Sequence, residues 1–114
     1  MEFRDEAHLQ SEVVIWFSDK YPQLYGSLFE VNNNPNGIKD AMRRRALGMV
    51  AGVSDLILVA CNTFAGIELK HTKTKHKKDH ISKQLRWGEH VISQGGKYIM
   101  SNDIEEIKEF ISFL

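Results

Sequence analysis

Asp55-Leu56-Ile57-Leu58-Val59-Ala60-Cys61-Asn62-Thr63-Phe64-Ala65-Gly66-Ile67-Glu68-Leu69-Lys70 is the stretch on which the fold turns. After Asp55, Leu56 to Ala60 is an apolar run of strand type, and Phe64 to Lys70 forms a second. So little chain lies between them that a tight hairpin is expected. With Cys61-Asn62 as a two-residue turn, Ala60 pairs with Thr63, and the same register carries Asp55 opposite Glu68. Directly opposed side chains share one sheet face with Cβ atoms ~4.5–5.5 Å apart. Alternation along the second strand puts Lys70 on the side of Glu68. Two acids and a lysine therefore converge at one spot.

Two carboxylates so placed repel each other, and a divalent cation turns that repulsion into coordination. Mg²⁺ is typically held by one or two carboxylates together with waters and substrate phosphate. Such an ion acidifies bound water and stabilises charge building on phosphorus, and a lysine beside it orients the water or neutralises a phosphate. These are the groups that phosphodiester hydrolysis needs. The same three residues also suit a strand entry followed by an exposed charge ladder. The apolar Leu56–Val59 run, which implies a central strand, and the basic segment beginning after Lys70 weigh for the site.

Outward from the hairpin, residues 5–20 have Leu9, Val13, Trp16 and Phe17 at helical spacing, and Tyr21-Pro22 marks the stop. Residues 28–32 read as a short strand, and Asn32 to Gly37 as a turn. Residues 38–48 suit a helix with Arg43, Arg44 and Arg45 in its second half. A helix over about 79–94 follows the basic run, with Ile81, Leu85, Gly88 and Ile92 near one face. Lys97 to Met100 forms a strand, and Ile104, Ile107, Ile111 and Leu114 mark a last helix behind an N-cap at Ser101 to Asp103. The order α-β-α-β-β-α-β-α predicts an α/β fold, a mixed sheet with helices on both faces.

The chain has 114 residues, so residues 1–114 are expected to form a single domain with one core. It is 42% apolar and 26% charged, ordinary for a globular protein. One cysteine, Cys61, rules out an intramolecular disulfide and a four-cysteine zinc site. The polar, acidic start is unlike a signal peptide, and no apolar stretch approaches the ~18–20 residues of a membrane span. No membrane partner and a cytoplasmic, reducing setting are expected, and the lack of a Gly-rich phosphate loop speaks against a nucleotide cofactor. The neutral total hides −4 over residues 1–38, +7 over 39–97 and −3 over 98–114. A basic middle of this kind suits a polyanionic partner.

Gly52-Val53-Ser54-Asp55, the hairpin, and Ile67-Glu68-Leu69-Lys70 resemble the core of PD-(D/E)xK restriction-endonuclease-like nucleases. More narrowly, nearly the whole chain resembles the small stand-alone form of the virus-type replication-repair nuclease (VRR-NUC) domain. Glu6-Ala7-His8-Leu9-Gln10 is similar to its opening helix, Arg44 to Asp55 to its run into the catalytic strand, and Ile81-Ser82-Lys83-Gln84-Leu85-Arg86-Trp87 to the Ser-, Gln- and Trp-bearing start of its following helix. One departure is Ser54, where that family usually has proline.

The resemblance implies that Asp55, Glu68 and the main-chain carbonyl of Leu69 hold Mg²⁺ or Mn²⁺, that Lys70 is the catalytic lysine, and that Gln84 supports the site. The first helix would add a further acid. Glu6, which shares a face with Leu9, Val13 and Trp16, is favoured over Glu12. The basic residues Lys73, Lys75, Lys77, Lys78, Lys83 and Arg86, together with Arg44, are expected to hold DNA phosphates. Such contacts position a duplex and make binding salt-sensitive. The resemblance further implies structure-selective cleavage of branched DNA such as a four-way (Holliday) junction, as in DNA repair, by a homodimer in a bacterial or phage-infected cell. A non-catalytic nucleic-acid-binding module of the same fold would keep the basic segment and not need the Asp–Glu–Lys trio. His71, His76 and His80 lack cysteine partners and sit among cations, so zinc is not expected.

Overall fold

The computed structural model describes residues 2–32, 34–71 and 78–114. Helix α1 spans Glu6–Lys20, a 3-10 turn Pro22–Leu24, strand β1 Leu28–Glu30 and helix α2 Gly37–Ala46. Strands β2, Leu56–Ala60, and β3, Thr63–Leu69, form the hairpin. Helix α3, Lys78–Ser93, strand β4, Lys97–Ser101, and helix α4, Ile104–Ser112, complete the order. Each expected element is present, and the 3-10 turn is an addition at the predicted Tyr21-Pro22 stop.

Local chemistry sets the helix ends. The Asp5 carboxylate accepts the His8 N–H at 2.8 Å, satisfying one of the free donors of the first turn of α1. Asp103 does the same for Glu105 at 3.0 Å in α4. In the hairpin, Cys61 and Asn62 both have left-handed φ, 54° and 61°, as a type I′ turn requires. The pairing then runs Ala60↔Thr63 through Leu56↔Ile67, the register read from the sequence.

The sheet order is β1-β2-β3-β4, with β1–β2 and β2–β3 antiparallel and β3–β4 parallel. One face carries Leu56, Leu58, Ala65, Ile67 and Leu69, packed against Leu9, Val13 and Phe17 of α1 and Ile107 and Ile111 of α4. These spacings of two in strands and of three or four in helices build the core. The opposite face carries Gly66 and Tyr98, and α3 lies on it. A Cβ on Gly66 would come 2.7 Å from the Trp87 ring, and one on Gly88 would come 2.4 Å from the Tyr98 ring. Glycine at both positions allows the helix to settle close to the strands.

The inward stripe of α3 differs from the expected one. Gly88 and Val91 are buried, whereas Leu85 and Ile92 are 46% and 56% exposed. Trp87, seated over Gly66 and edge-on to Phe64 and Tyr98, fixes the rotation of the helix. Among the described residues no helix is long and apolar enough to cross a membrane.

Candidate active site

Asp55 sits one residue before β2, and Glu68 and Lys70 sit at the matching end of β3. The hairpin register continues past its last paired residues. The Asp55 N–H donates to Glu68 Oε2 at 3.2 Å, and the Leu69 N–H donates to Asp55 Oδ2 at 2.9 Å. Gln84 of α3 closes the group from above the sheet. Its amide nitrogen donates to Glu68 Oε1 at 2.5 Å, and its carbonyl accepts from Lys70 Nζ at 2.6 Å. Lys70 Nζ also lies 3.6 Å from Glu68 Oε1. The two acids, the lysine and the glutamine singled out in the sequence are thus one hydrogen-bonded unit drawn from both hairpin strands and α3.

Two local features hold Asp55 in place. Ser54 is fully buried and its Oγ donates to the Leu56 carbonyl at 2.8 Å. The chain before Asp55 is therefore tied by a hydrogen bond where the resembled family uses a proline ring. Gly52 has φ +89° and lies against α3, so close that a Cβ would meet the Lys83 carbonyl oxygen at 2.4 Å. This backbone contact couples the loop that delivers Asp55 to the helix that delivers Gln84.

Glu68 is held out of water, and Asp55 is half-buried. Glu68 is 3% exposed. Burial, and then the charge of Asp55, push the Glu68 carboxyl up to about 8, although Lys70 opposes the shift. Burial likewise raises Asp55, against the pull of the Leu69 N–H, and Glu6 raises it further. Glu6 is thus the first-helix acid whose charge reaches the pair. Glu12 instead lies 3.8 Å from His8 Nε2. Among the described residues no group of three or more His, Cys, Asp or Glu is gathered closely enough to hold a metal ion, so Glu6 stays outside the Asp55–Glu68 pair. The donors at hand are all oxygen, two carboxylates beside the Leu69 main chain. That set fits a hard cation such as Mg²⁺, which takes few protein ligands and fills the rest with water and phosphate.

A pH dependence follows. The folded Glu68 binds its proton more tightly than the unfolded chain does, so cation-free stability is greatest below the ordinary carboxylate range near 4.5 and falls as pH rises towards 8. The slope is at most about 1.4 kcal/mol per pH unit. Thermal melts in EDTA at pH 5.5 and 8 are expected to show a drop of several degrees, and Mg²⁺ should restore more at pH 8. Equal melting at both values would count against an uncompensated buried pair.

The pair opens into a cleft of about 500 Å³ lined by Asn34, Arg45, Met49, Gly52, Asp55, Glu68, His80, Lys83 and Gln84 among others. Arg45, His80 and Lys83 line it together with the two acids. A neighbouring groove of about 330 Å³ shares Ala51 and Lys83 with it and adds Arg86, Trp87 and His90. Lys83 lines both grooves and Arg86 the second, and Lys78 is exposed in the first turn of α3. Arg44 does not join them. Its Nε pairs with Asp40 Oδ2 at 2.9 Å, and it lines a groove with Val31, Asn32 and Arg43. The Asn36 N–H and then this arginine hold the Asp40 carboxyl low. Arg45, the next residue, lines the cleft although the sequence reading did not single it out. His71 is buried against the Phe3 carbonyl. Lys73, Lys75, Lys77 and His76 lie outside the described residues.

No family model and no curated protein matches the chain. Among solved structures it is similar to a VRR_NUC domain protein, with a TM-score of 0.74 and 17% identity over 97% of this chain and 88% of that one. Identity that low speaks for the fold alone, but it does so over almost the full length of both chains. The chain therefore has the VRR-NUC fold, a mixed four-stranded sheet carrying helices on both faces.

Proposed function

We propose that this protein is a divalent-metal-dependent DNA endonuclease, structure-selective and acting as a homodimer on branched DNA such as a four-way junction. The observation that carries the reading is the unit Asp55–Glu68–Gln84–Lys70, of which Asp55, Glu68 and Gln84 line a cleft together with Arg45, His80 and Lys83. A buried Glu68 raised by the charge of a half-buried Asp55, in a cleft with basic groups, makes little sense as a stabilising device. The same pair makes good sense beneath a phosphodiester.

Asp55, Glu68 and the Leu69 carbonyl would hold Mg²⁺ or Mn²⁺, and the ion would supply Lewis-acid charge at phosphorus and acidify water. Glu6 adds negative charge to the Asp55 side of the site. Lys70 holds its ammonium within reach of the reacting region because Gln84 fixes Nζ, and from there it orients the attacking water and shares the phosphate charge. Gln84 grips Glu68 and Lys70 with one amide, so ligand and lysine keep a constant spacing. Arg45 and Lys83 neutralise phosphates on the two walls of the cleft. These are backbone contacts, which place a strand without reading its bases. Junction resolution needs two symmetric cuts, and a two-fold pair of chains supplies them.

The test is cleavage of labelled duplex, single-stranded, flap and four-way-junction DNA in Mg²⁺, Mn²⁺ or EDTA, with Lys70→Ala alongside. The expected result is cation-dependent cutting, strongest on the junction and lost in the variant. Cutting that survives in Lys70→Ala would show that the site is elsewhere. Salt-sensitive binding of every substrate without cutting would make the protein a non-catalytic nucleic-acid-binding module.

A further inference from the structure

The Tyr98 hydroxyl on β4 is sealed from solvent and has no hydrogen-bond partner among the described residues. Buried polar groups left unpaired are rare in folded proteins, and each calls for an explanation. This one is held firmly where it is. The ring lies under Gly88, where a Cβ would come 2.4 Å from Cδ2, and the Trp87 ring stands edge-on with its centroid at 6.0 Å. The parallel register sets Tyr98 beside Gly66, and Glu68 lies two residues further along β3 on the same sheet face. Gln84, which holds Glu68, lies one turn from Gly88 on α3. Burial, then the charges of Glu68 and Asp55, keep the phenol protonated. Tyr98 is not among the residues lining the cleft, and its hydroxyl is buried.

We propose that Tyr98 is a positioning residue whose hydroxyl donates a hydrogen bond to the Glu68 carboxylate in the cation-loaded site, bracing it from behind the cleft. This rests on the metal-dependent reading above. The chemistry suits the place. A phenol donates to a carboxylate oxygen without competing for the ion. The Gln84 amide and the Asp55 N–H already direct the two oxygens of Glu68, and a third donor would fix the plane of the group. Hydrogen-bond partners behind a metal ligand of this kind typically change cation affinity about 10–100-fold.

Tyr98→Phe separates this role from packing, because it keeps the ring against Gly88 and Trp87. Mn²⁺ binding can be followed by loss of the free-ion EPR signal, with thermal melting recorded in EDTA. Roughly tenfold weaker Mn²⁺ binding is expected in Tyr98→Phe. Its cation-free melting temperature should be equal to or above that of the parent, since only an unpaired hydroxyl is lost. A near-UV tyrosine difference signal should accompany Mn²⁺ or Mg²⁺ addition to the parent and be absent from the variant. Equal Mn²⁺ affinity, with or without a lower melting temperature, would mean the hydroxyl serves packing or an internal water only and would overturn the proposal. If the parent itself binds no Mn²⁺, the metal-dependent reading fails and this proposal falls with it.

Discussion

Asp55→Asn is expected to abolish DNA cleavage while raising the melting temperature of the cation-free protein. The two effects share one cause. Asp55 and Glu68 are linked through the Asp55 N–H at 3.2 Å; burial pushes both carboxyls up, and the charge of Asp55 pushes Glu68 up further. Asparagine removes one charge and keeps an oxygen that accepts the Leu69 N–H, bonded at 2.9 Å in the parent. Relief of about 1 kcal/mol would raise melting by about 3–5 °C in a domain of this size. The gain should be largest at pH 8 and shrink by pH 5, where the folded Glu68 already carries its proton. Loss of a charge-positioning group at a reacting centre costs at least about 10²–10³-fold in rate. Cleavage assays and melts in EDTA at the two pH values decide the matter. A variant that melts lower and still cuts would make Asp55 a structural residue and remove the basis for the site.

Gly52→Ala should damage both stability and activity, through geometry and not charge. Gly52 adopts φ +89°, which a side chain resists, and the added Cβ would meet the Lys83 carbonyl oxygen at 2.4 Å, its carbon at 2.6 Å and the Gln84 nitrogen at 3.0 Å. All three are helix backbone and cannot swing aside. Left-handed strain of about 1–2 kcal/mol and overpacking of about 1–3 kcal/mol combine to lower melting by roughly 10 °C. The movement of α3 that relieves the contact carries Gln84 away from Lys70 and Glu68, so cleavage by the folded fraction should fall as well. Gly26→Ala is the control. It has φ +93° but nothing within 4 Å of the added Cβ, so it bears the strain alone and should leave cleavage unchanged. Full cleavage by folded Gly52→Ala would show that the loop does not position the helix.

What was legible in the sequence follows from how local each feature is. The hairpin register was readable because a two-residue turn leaves one way to pair the strands, and Asp55 opposite Glu68 came with it. Gln84 was legible through its place in the Ser82–Trp87 segment and not through any periodicity. The inward face of α3 was not, because its rotation is set by Trp87 over Gly66 and Tyr98 under Gly88, contacts between residues far apart in sequence. Leu85 and Ile92 have the spacing of a core stripe yet face outward. The choice between Arg44 and Arg45 was equally hidden. Helix α2 buries no residue, so it has no apolar phase to show which arginine faces the acids. The unpaired Tyr98 hydroxyl is likewise a product of packing.

The turn at Cys61-Asn62 has a meaning beyond joining two strands. It stands at the end of the hairpin remote from the acids, about five residue pairs or roughly 17 Å away. Its length nevertheless decides whether Asp55 and Glu68 meet at all. Removing either turn residue forces the pairing to slip, and a slip of one residue exchanges the two faces of β3. The carboxylate of Glu68 would then turn into the apolar layer of α1 and α4, while Leu69 took its place under Gln84. An exposed loop tip that touches neither acid thus acts as the gauge that sets the spacing of Asp55 and Glu68, and its tolerance to insertion or deletion should be that of a core residue and not of a surface loop.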